Sequence, residues 1–270
     1  MEYIKLRNGI EMPCMGYGCY NAFGDEIARG VLRAVEVGYR YIDSAAKYGN
    51  EDAVGKALGT LGDFRSDLFI LSKCWPSDYE NVEAAAMKTM KDLQVEYLDA
   101  YLLHWPGIDE NRRLKAYEQL LRLQEKGICR IAATSNFLPD QLEVLNREFG
   151  AYPVLNELEL HPSHQQKPWR NFCVDHGIQT IAYSPINRSK DLTYPAILQM
   201  AEKYGKTPGQ VVLRWHIQKG QLPIPKSSDY DRVLQNISIF DFELTADELE
   251  QIDALDCGAR SGLDPYSFNG

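Results

Sequence analysis

Four side chains of types that move protons follow three short apolar runs in this 270-residue chain. Asp43 and Tyr48 lie in Asp43-Ser44-Ala45-Ala46-Lys47-Tyr48-Gly49-Asn50-Glu51, Lys73 in Leu71-Ser72-Lys73-Cys74-Trp75, and His104 in Leu103-His104-Trp105-Pro106. Taken singly, three of them read as ordinary structure: Asp43 as a helix cap, Lys73 as a surface charge, His104 as a satisfied core histidine. Together they form a proton-transfer set. A free tyrosine titrates at about 10 and is a poor acid or base near neutrality. A lysine about 4 Å away interacts with the phenolate by roughly 4 kcal/mol at an effective dielectric of about 20. That would lower the tyrosine pKa by up to ~3 units before desolvation is subtracted. A carboxylate keeps such a lysine charged and aimed, and a neutral histidine hydrogen-bonds a carbonyl oxygen without adding a full charge.

Elements far apart in sequence must bring these groups to one place. Apolar runs recur at Met15–Cys19, Tyr41–Asp43, Leu68–Leu71, Ala100–Leu103, Arg130–Ala133, Val154–Leu158, Gln179–Tyr183 and Leu222–Ile224, spaced by about 25–30 residues until the longer last interval. Between them the pattern is helical. Asp25 is placed to cap Glu26–Val37, and Ser77–Leu93, Arg112–Lys126, Pro139–Glu148, Tyr194–Tyr204 and Pro208–Lys219 follow. Thr245–Leu255 opens on the capping box Thr245-x-x-Glu248. Asn8-Gly9, between Tyr3–Leu6 and Ile10–Met12, predicts a two-residue hairpin turn. Eight strand–helix units without a linker predict an α/β (β/α)₈ barrel with an N-terminal β-hairpin, as one domain over residues 1–270. The rival doubly wound fold needs G-x-G-x-x-G after its first strand, and Gly16-Tyr17-Gly18-Cys19-Tyr20-Asn21 lacks the third glycine. In a barrel the four groups sit at the C-terminal mouth, where chemistry is found.

The charge balance, 38 acidic against 29 basic residues for a net −9, repels phosphate backbones and argues against a nucleic-acid partner. No basic-then-apolar leader opens the chain and no apolar run approaches the ~20 residues of a membrane span, so a cytoplasmic protein is expected. Cys14, Cys19, Cys74, Cys129, Cys173 and Cys257 are scattered, which suits free buried thiols in a reducing compartment. His161 and His164 have no further ligands near them in sequence, so no metal is expected.

The four catalytic segments resemble the Asp/Tyr/Lys/His tetrad of the aldo-keto reductases. The likeness continues through Thr134-Ser135-Asn136-Phe137, Asn156-Glu157-Leu158-Glu159-Leu160-His161-Pro162, Ala182-Tyr183-Ser184-Pro185 and Ile224-Pro225-Lys226-Ser227, in order along nearly the whole chain. It is nearest to the shorter members, among them bacterial diketogluconate reductases and prostaglandin F synthases. The resemblance implies NADP(H) as cofactor. Ser135, Asn136 and the residue at Glu157 would hold the nicotinamide carboxamide, and Tyr183 would stack on the ring. Ser184, Ile186, Arg188 and Ser189 would line the pyrophosphate. Lys226, Ser227 and Ser228, with Arg232, Gln235 and Asn236 on the start of the next helix, would grip the adenosine end. Loops after the last two barrel strands are favoured phosphate sites, and Lys226 with Arg232 suits a 2′-phosphate.

Two positions depart from the family pattern. Glu157 stands where glutamine is usual; when ionised it can only accept a hydrogen bond, and its charge would favour the oxidised, cationic nicotinamide. Lys47 stands beside Tyr48 where an apolar residue is common. The implied reaction is NADPH-dependent reduction of an aldehyde or ketone, with Tyr48 as proton donor, Lys73 and Asp43 tuning it and His104 orienting the carbonyl. Tyr20, Lys47, Trp105 and the tail after Cys257 are candidates for the substrate pocket, and the shortness of that tail, Gly258–Gly270, suggests an open one. The partner is thus a small carbonyl compound, with the protein a monomer or weak oligomer. Two other readings remain: a nucleotide-binding regulatory subunit without turnover, and a barrel aldolase or isomerase using Lys73 as a Schiff-base nucleophile.

Overall fold

Strands buried on both faces form parallel sheets, and every residue of β5 (Phe69–Cys74) and β6 (Leu98–Leu103) is buried in the computed structural model, which describes residues 1–268. After the hairpin β1 (Tyr3–Lys5) and β2 (Glu11–Pro13), the barrel strands are β3 (Tyr17–Gly18), β4 (Tyr41–Asp43), β5, β6, β7 (Cys129–Ser135), β8 (Leu155–Glu159), β9 (Gln179–Tyr183) and β10 (Leu222–Pro223). Neighbours in sequence are neighbours in the sheet, all parallel. The ring closes through backbone bonds from Gly16 to the Pro223 carbonyl and from Gly18 to the Pro225 carbonyl, both 3.1 Å. A side chain at Gly18 would put a Cβ 2.8 Å from the Ile224 carbonyl oxygen, so the seam needs glycine there.

Two apolar layers hold the barrel. Leu71, Ala100, Leu102, Ile131, Leu155 and Ile181 fill its interior, and Leu6 and Met12 of the hairpin join that cluster. Residues such as Ile42, Ile70, Tyr101 and Leu103 face outward onto the helices. These are α1 (Gly24–Glu36), α2 (Glu51–Gly59), α3 (Val82–Leu93), α4 (Glu110–Glu125), α5 (Pro139–Phe149), α6 (Lys167–Asp175), α7 (Pro195–Tyr204), α8 (Pro208–Gln218), α9 (Tyr230–Ile237) and α10 (Ala246–Asp253).

Several local expectations change. The hairpin loop is Arg7-Asn8-Gly9, because Leu6 and Ile10 still pair (N···O 2.9 Å) and Gly9 takes φ +85°. Asp25 does not cap α1; it lies in the first turn, where its charge complements the helix dipole. The predicted helix from Ser77 is a 3₁₀ turn over Pro76–Asn81, and α3 starts afterwards with Asn81 accepting the Ala84 N–H. Helices α2 and α6 were not anticipated. Thr245 does cap α10 through a reciprocal pair with Glu248. Five cysteines are buried free thiols, but Cys257 is exposed. Among the described residues no helix is long and apolar enough to cross a membrane.

Candidate active site

The register of three adjacent strands gathers the tetrad. Asp43 pairs with Leu71 and Lys73 with Leu102, so Asp43, Lys73 and His104 emerge at the same C-terminal rim. A 3₁₀ turn over Ala46–Tyr48, ended by Gly49 at φ +65°, folds Tyr48 back over them. Asn50 ties this loop to the barrel by donating to the carbonyls of Cys19 and Ala22, both at 2.8 Å. Lys73 Nζ donates to Asp43 Oδ1 at 2.6 Å, to the Ser44 carbonyl at 3.0 Å and to the Tyr48 hydroxyl at 3.4 Å. Its side chain is fully buried.

The electrostatics differ from the expectation built on one lysine. Burial, together with Asp43 and Glu157, raises the Tyr48 pKa despite the opposing pull of Lys73. The tyrosine is therefore firmly protonated at rest, and the lysine is a source of positive charge for the moment a phenolate forms. Lys73 itself would lose its proton on burial, but Asp43, Glu157 and Tyr48 hold it well above its ordinary value. His104 is pushed well below the usual imidazole range by burial, Lys73 and Lys47, so it is neutral. Its Nδ1 is buried without a hydrogen-bond partner.

Glu157 sits inside this cluster. Its Oε2 lies 3.3 Å from Lys73 Nζ, an ion-pair distance without hydrogen-bond geometry, and is left unpartnered in a buried position. Burial and the neighbouring Asp43 raise its pKa to about 8, partly offset by Lys73. The sequence-based picture of an ionised Glu157 is thus corrected: near neutrality the carboxyl mostly carries its proton and can donate.

The rest of the wall follows strand by strand. Ser135 ends β7, and Asn136, at φ +63°, sends Nδ2 to the His104 carbonyl at 3.0 Å and to Ser135 Oγ at 3.1 Å. Tyr183, at the end of β9, donates its hydroxyl to Asn136 Oδ1 at 2.8 Å. Next comes a loop in which Ser184, Asn187, Arg188 and Ser189 all have positive φ. The loop is tightly folded, with the Asn187 N–H on the Ser184 carbonyl and the Ser189 N–H on the Ile186 carbonyl, both at 2.8 Å. Ile186 is half-buried and packs against the core, while Arg188 and Ser189 are exposed. Asn187 and Asp191 pin the loop: Asn187 donates to Asp191 Oδ1 at 2.7 Å, and Asp191 accepts the Ser163 hydroxyl at 2.8 Å.

After β10, Lys226 donates to Ser228 Oγ at 2.7 Å, and Ser227 is buried with its carbonyl held by the Tyr17 hydroxyl at 2.8 Å. Glu26 of α1 already engages this cluster, accepting from the Ser228 hydroxyl and lying 3.6 Å from Lys226 Nζ. Arg232 is in the first turn of α9, which Asp229 caps. Gln235 and Asn236 fall in the last turn of that helix rather than at its start, because α9 begins at Tyr230. The residues fit a phosphorylated dinucleotide: two cations and a helix start at one end, a loop of positive φ in the middle, and the unpartnered Glu157 oxygen at the other.

Aromatic side chains frame the mouth. Tyr20 packs edge-on to Tyr48 at 5.1 Å, and Trp75 does so to His104 at 5.0 Å. Phe268 of the tail lies 5.5 Å from Trp75 and 4.6 Å from the buried Trp105. Lys47 Nζ is 4.6 Å above the Trp75 ring. The tail therefore folds back onto the pocket instead of leaving it open, with residues 269 and 270 outside the described region. Phe268 belongs to the tail expected to line the pocket, whereas Trp75 was not anticipated there, although it follows Lys73 by only two positions. His161 is no metal ligand here: its ring nitrogens each lie 3.1 Å from a carboxylate, Glu159 on one side and Asp191 on the other.

A barrel with this tetrad at its mouth defines an oxidoreductase of the carbonyl-reducing kind. Comparison with known proteins agrees: the model of the aldo/keto reductase family matches residues 15–256, and the chain belongs to that family. It is 40% identical over 269 residues to methylglyoxal reductase DkgA of Escherichia coli K12, covering 99% of this chain and 98% of that one. It is 41% identical over 267 residues to glyoxal reductase of Bacillus subtilis, covering 98% and 96%. A variant of Gox0644 solved in complex with NADPH superposes with a TM-score of 0.94 at 34% identity, covering 99% and 98%.

Proposed function

We propose that this chain reduces small aldehydes and ketones to alcohols with NADPH, and that compact 2-oxoaldehydes of the methylglyoxal and glyoxal type are among its substrates. The observation that carries the reading is the Tyr48–Lys73–Asp43 chain, at 3.4 and 2.6 Å, beside a neutral His104. The cofactor, when bound, supplies hydride to the carbonyl carbon. The residues do the rest. Tyr48 donates its proton to the carbonyl oxygen, and Lys73, held charged by Asp43, stabilises the phenolate left behind. His104 offers a neutral hydrogen bond that aims the carbonyl. Ser135, Asn136 and Glu157 would hold the carboxamide, Tyr183 would pack on the ring, and Lys226 with Arg232 would meet the 2′-phosphate.

Relatives named as methylglyoxal and glyoxal reductases support the substrate class. Small substrates also suit a mouth narrowed by Trp75, Trp105 and Phe268. A Schiff-base role for Lys73 is disfavoured, since that chemistry needs a neutral amine and Lys73 is held protonated by Asp43 and Glu157. A silent regulatory subunit leaves the assembled tetrad without a purpose. A monomer or weak oligomer in the cytoplasm, with no nucleic-acid partner, completes the reading. Loss of NADPH absorbance on adding methylglyoxal or glyoxal is the expected result. Nucleotide binding without turnover across a panel of aldehydes, ketones and keto acids would overturn it.

A further inference from the structure

The buried centre holds more carboxylate than it can neutralise. Asp43 and Tyr41 face Glu157 from β4, Lys73 from β5, Tyr48 from the following turn and Tyr183 from β9. Lys73 is the cation among them, and it already gives its shortest bond to Asp43. Two buried carboxylates served by one ammonium keep a proton between them, because an uncompensated charge in such a place is costly. Glu157 is the member that holds it, since its Oε2 lacks a hydrogen-bond partner. Resting on the function proposed above, we propose that Glu157 is the reservoir for the proton consumed in the reduction, passing it through Lys73 to Tyr48 as positive charge develops on the oxidised nicotinamide.

The atoms and electrons balance along distances already given. A hydride, with its two electrons, is accepted by the carbonyl carbon, and the carbonyl oxygen takes the Tyr48 proton. Tyr48 recovers a proton from Lys73 across 3.4 Å, and Lys73 recovers one from Glu157, whose Oε2 lies 3.3 Å away and has only to turn into line with the freed amine lone pair. The alcohol, the oxidised cofactor and an ionised Glu157 result, and solvent restores the Glu157 proton when the cofactor is exchanged.

Charge explains the timing. Hydride transfer needs reacting atoms about 3–3.5 Å apart. If Glu157 holds the carboxamide, the new cation would lie near it, and at a dielectric of about 20 a unit charge even about 10 Å away shifts a protonation equilibrium roughly tenfold. With burial and Asp43 raising the Glu157 carboxyl to about 8, this shift carries it from mostly protonated to about half ionised near neutrality. A glutamine at the same place could bind the carboxamide but could not hold this proton.

The test is binding-linked proton release, measured without substrate. Calorimetric titrations in two buffers of different ionisation enthalpy, near pH 7.5, should show NADP⁺ binding release up to about half a proton relative to NADPH. Both nucleotides carry the same phosphates, so their own titration largely cancels. The ratio Kd(NADP⁺)/Kd(NADPH) should fall roughly tenfold as pH rises through the Glu157 range around 8. In Glu157→Gln, an isosteric change, both effects should vanish. A carboxylic-acid C=O band present with NADPH and lost with NADP⁺ in wild-type infrared difference spectra gives the same reading should that variant fold poorly. Equal proton release by both nucleotides, or release that persists in Glu157→Gln, would overturn the proposal while leaving the reductase reading intact. Failure of both nucleotides to bind would overturn the two together.

Discussion

Glu159, the last residue of β8, accepts the backbone N–H of Ser261 at 2.6 Å and its hydroxyl at 2.7 Å. The Gly262 N–H adds a third bond at 2.9 Å, so one buried carboxylate holds the tail that brings Phe268 to the mouth. Burial alone would raise the Glu159 pKa, but hydrogen bonds from His161, Ser261 and Gly262 hold it at about 2. A depressed acid contributes stability above its ordinary value of 4.5 and loses it as pH falls toward 2. The clamp should therefore hold through neutral pH and weaken only in strong acid. Glu159→Gln at neutral pH should mimic that loss. We expect faster tryptic cleavage at Arg260 and a changed tryptophan emission as Phe268 leaves Trp75 and Trp105. Unchanged cleavage would show that other contacts secure the tail.

Tyr48→Phe keeps the ring and its packing against Tyr20 but has no proton to give. Turnover should fall by about 10²–10⁴-fold, while NADPH affinity by fluorescence titration stays within a few-fold. Retention of more than about a tenth of kcat would remove Tyr48 from the role of proton donor.

Glu26 competes with any phosphate for Lys226 and Ser228. Lys226→Ala should weaken NADPH binding far more than NADH binding, because only NADPH carries the extra phosphate. Glu26→Gln should act in the opposite sense and tighten NADPH by a few-fold, a small effect because both groups are partly or largely in water. Equal changes for the two nucleotides would place the phosphate elsewhere.

The Lys47 ammonium, above Trp75 at the rim, should favour carbonyl substrates that carry a negative charge. A solvated rim charge is worth on the order of 1 kcal/mol, or about fivefold in kcat/KM, and less in high salt. The comparison is a keto acid against its uncharged methyl ester, in wild type and in Lys47→Ala. An unchanged ratio between the two substrates would exclude Lys47 from substrate choice.

The barrel and the tetrad were legible because buried parallel strands read as apolar runs and their ends carry the chemistry. Helix α2 escaped notice because its first residue, Glu51, turns inward and accepts bonds from Ser72 at 2.6 Å and Thr89 at 3.1 Å. A buried carboxylate breaks the apolar stripe by which a helix is read. Buried Arg170 does the same in α6. The Tyr48 titration was misjudged because spacing supplied Lys73 and Asp43, but neither the complete burial that outweighs the lysine nor the second carboxylate that β8 brings alongside. The tail after Cys257 was expected at the pocket, but that Phe268 would narrow it was not, since the Glu159 clamp that seats the tail joins residues about a hundred positions apart.

The seam where β3 meets β10 lies beside the loop proposed to take the 2′-phosphate, and the Tyr17 hydroxyl ties that loop to the first barrel strand through Ser227. A growing chain has no such loop until its final barrel strand has docked, so cofactor capture reports a finished ring. A dinucleotide seated there would in turn rivet the ring shut. Opening the seam would mean giving up the ligand as well, so protection against thermal unfolding should climb with the logarithm of cofactor concentration.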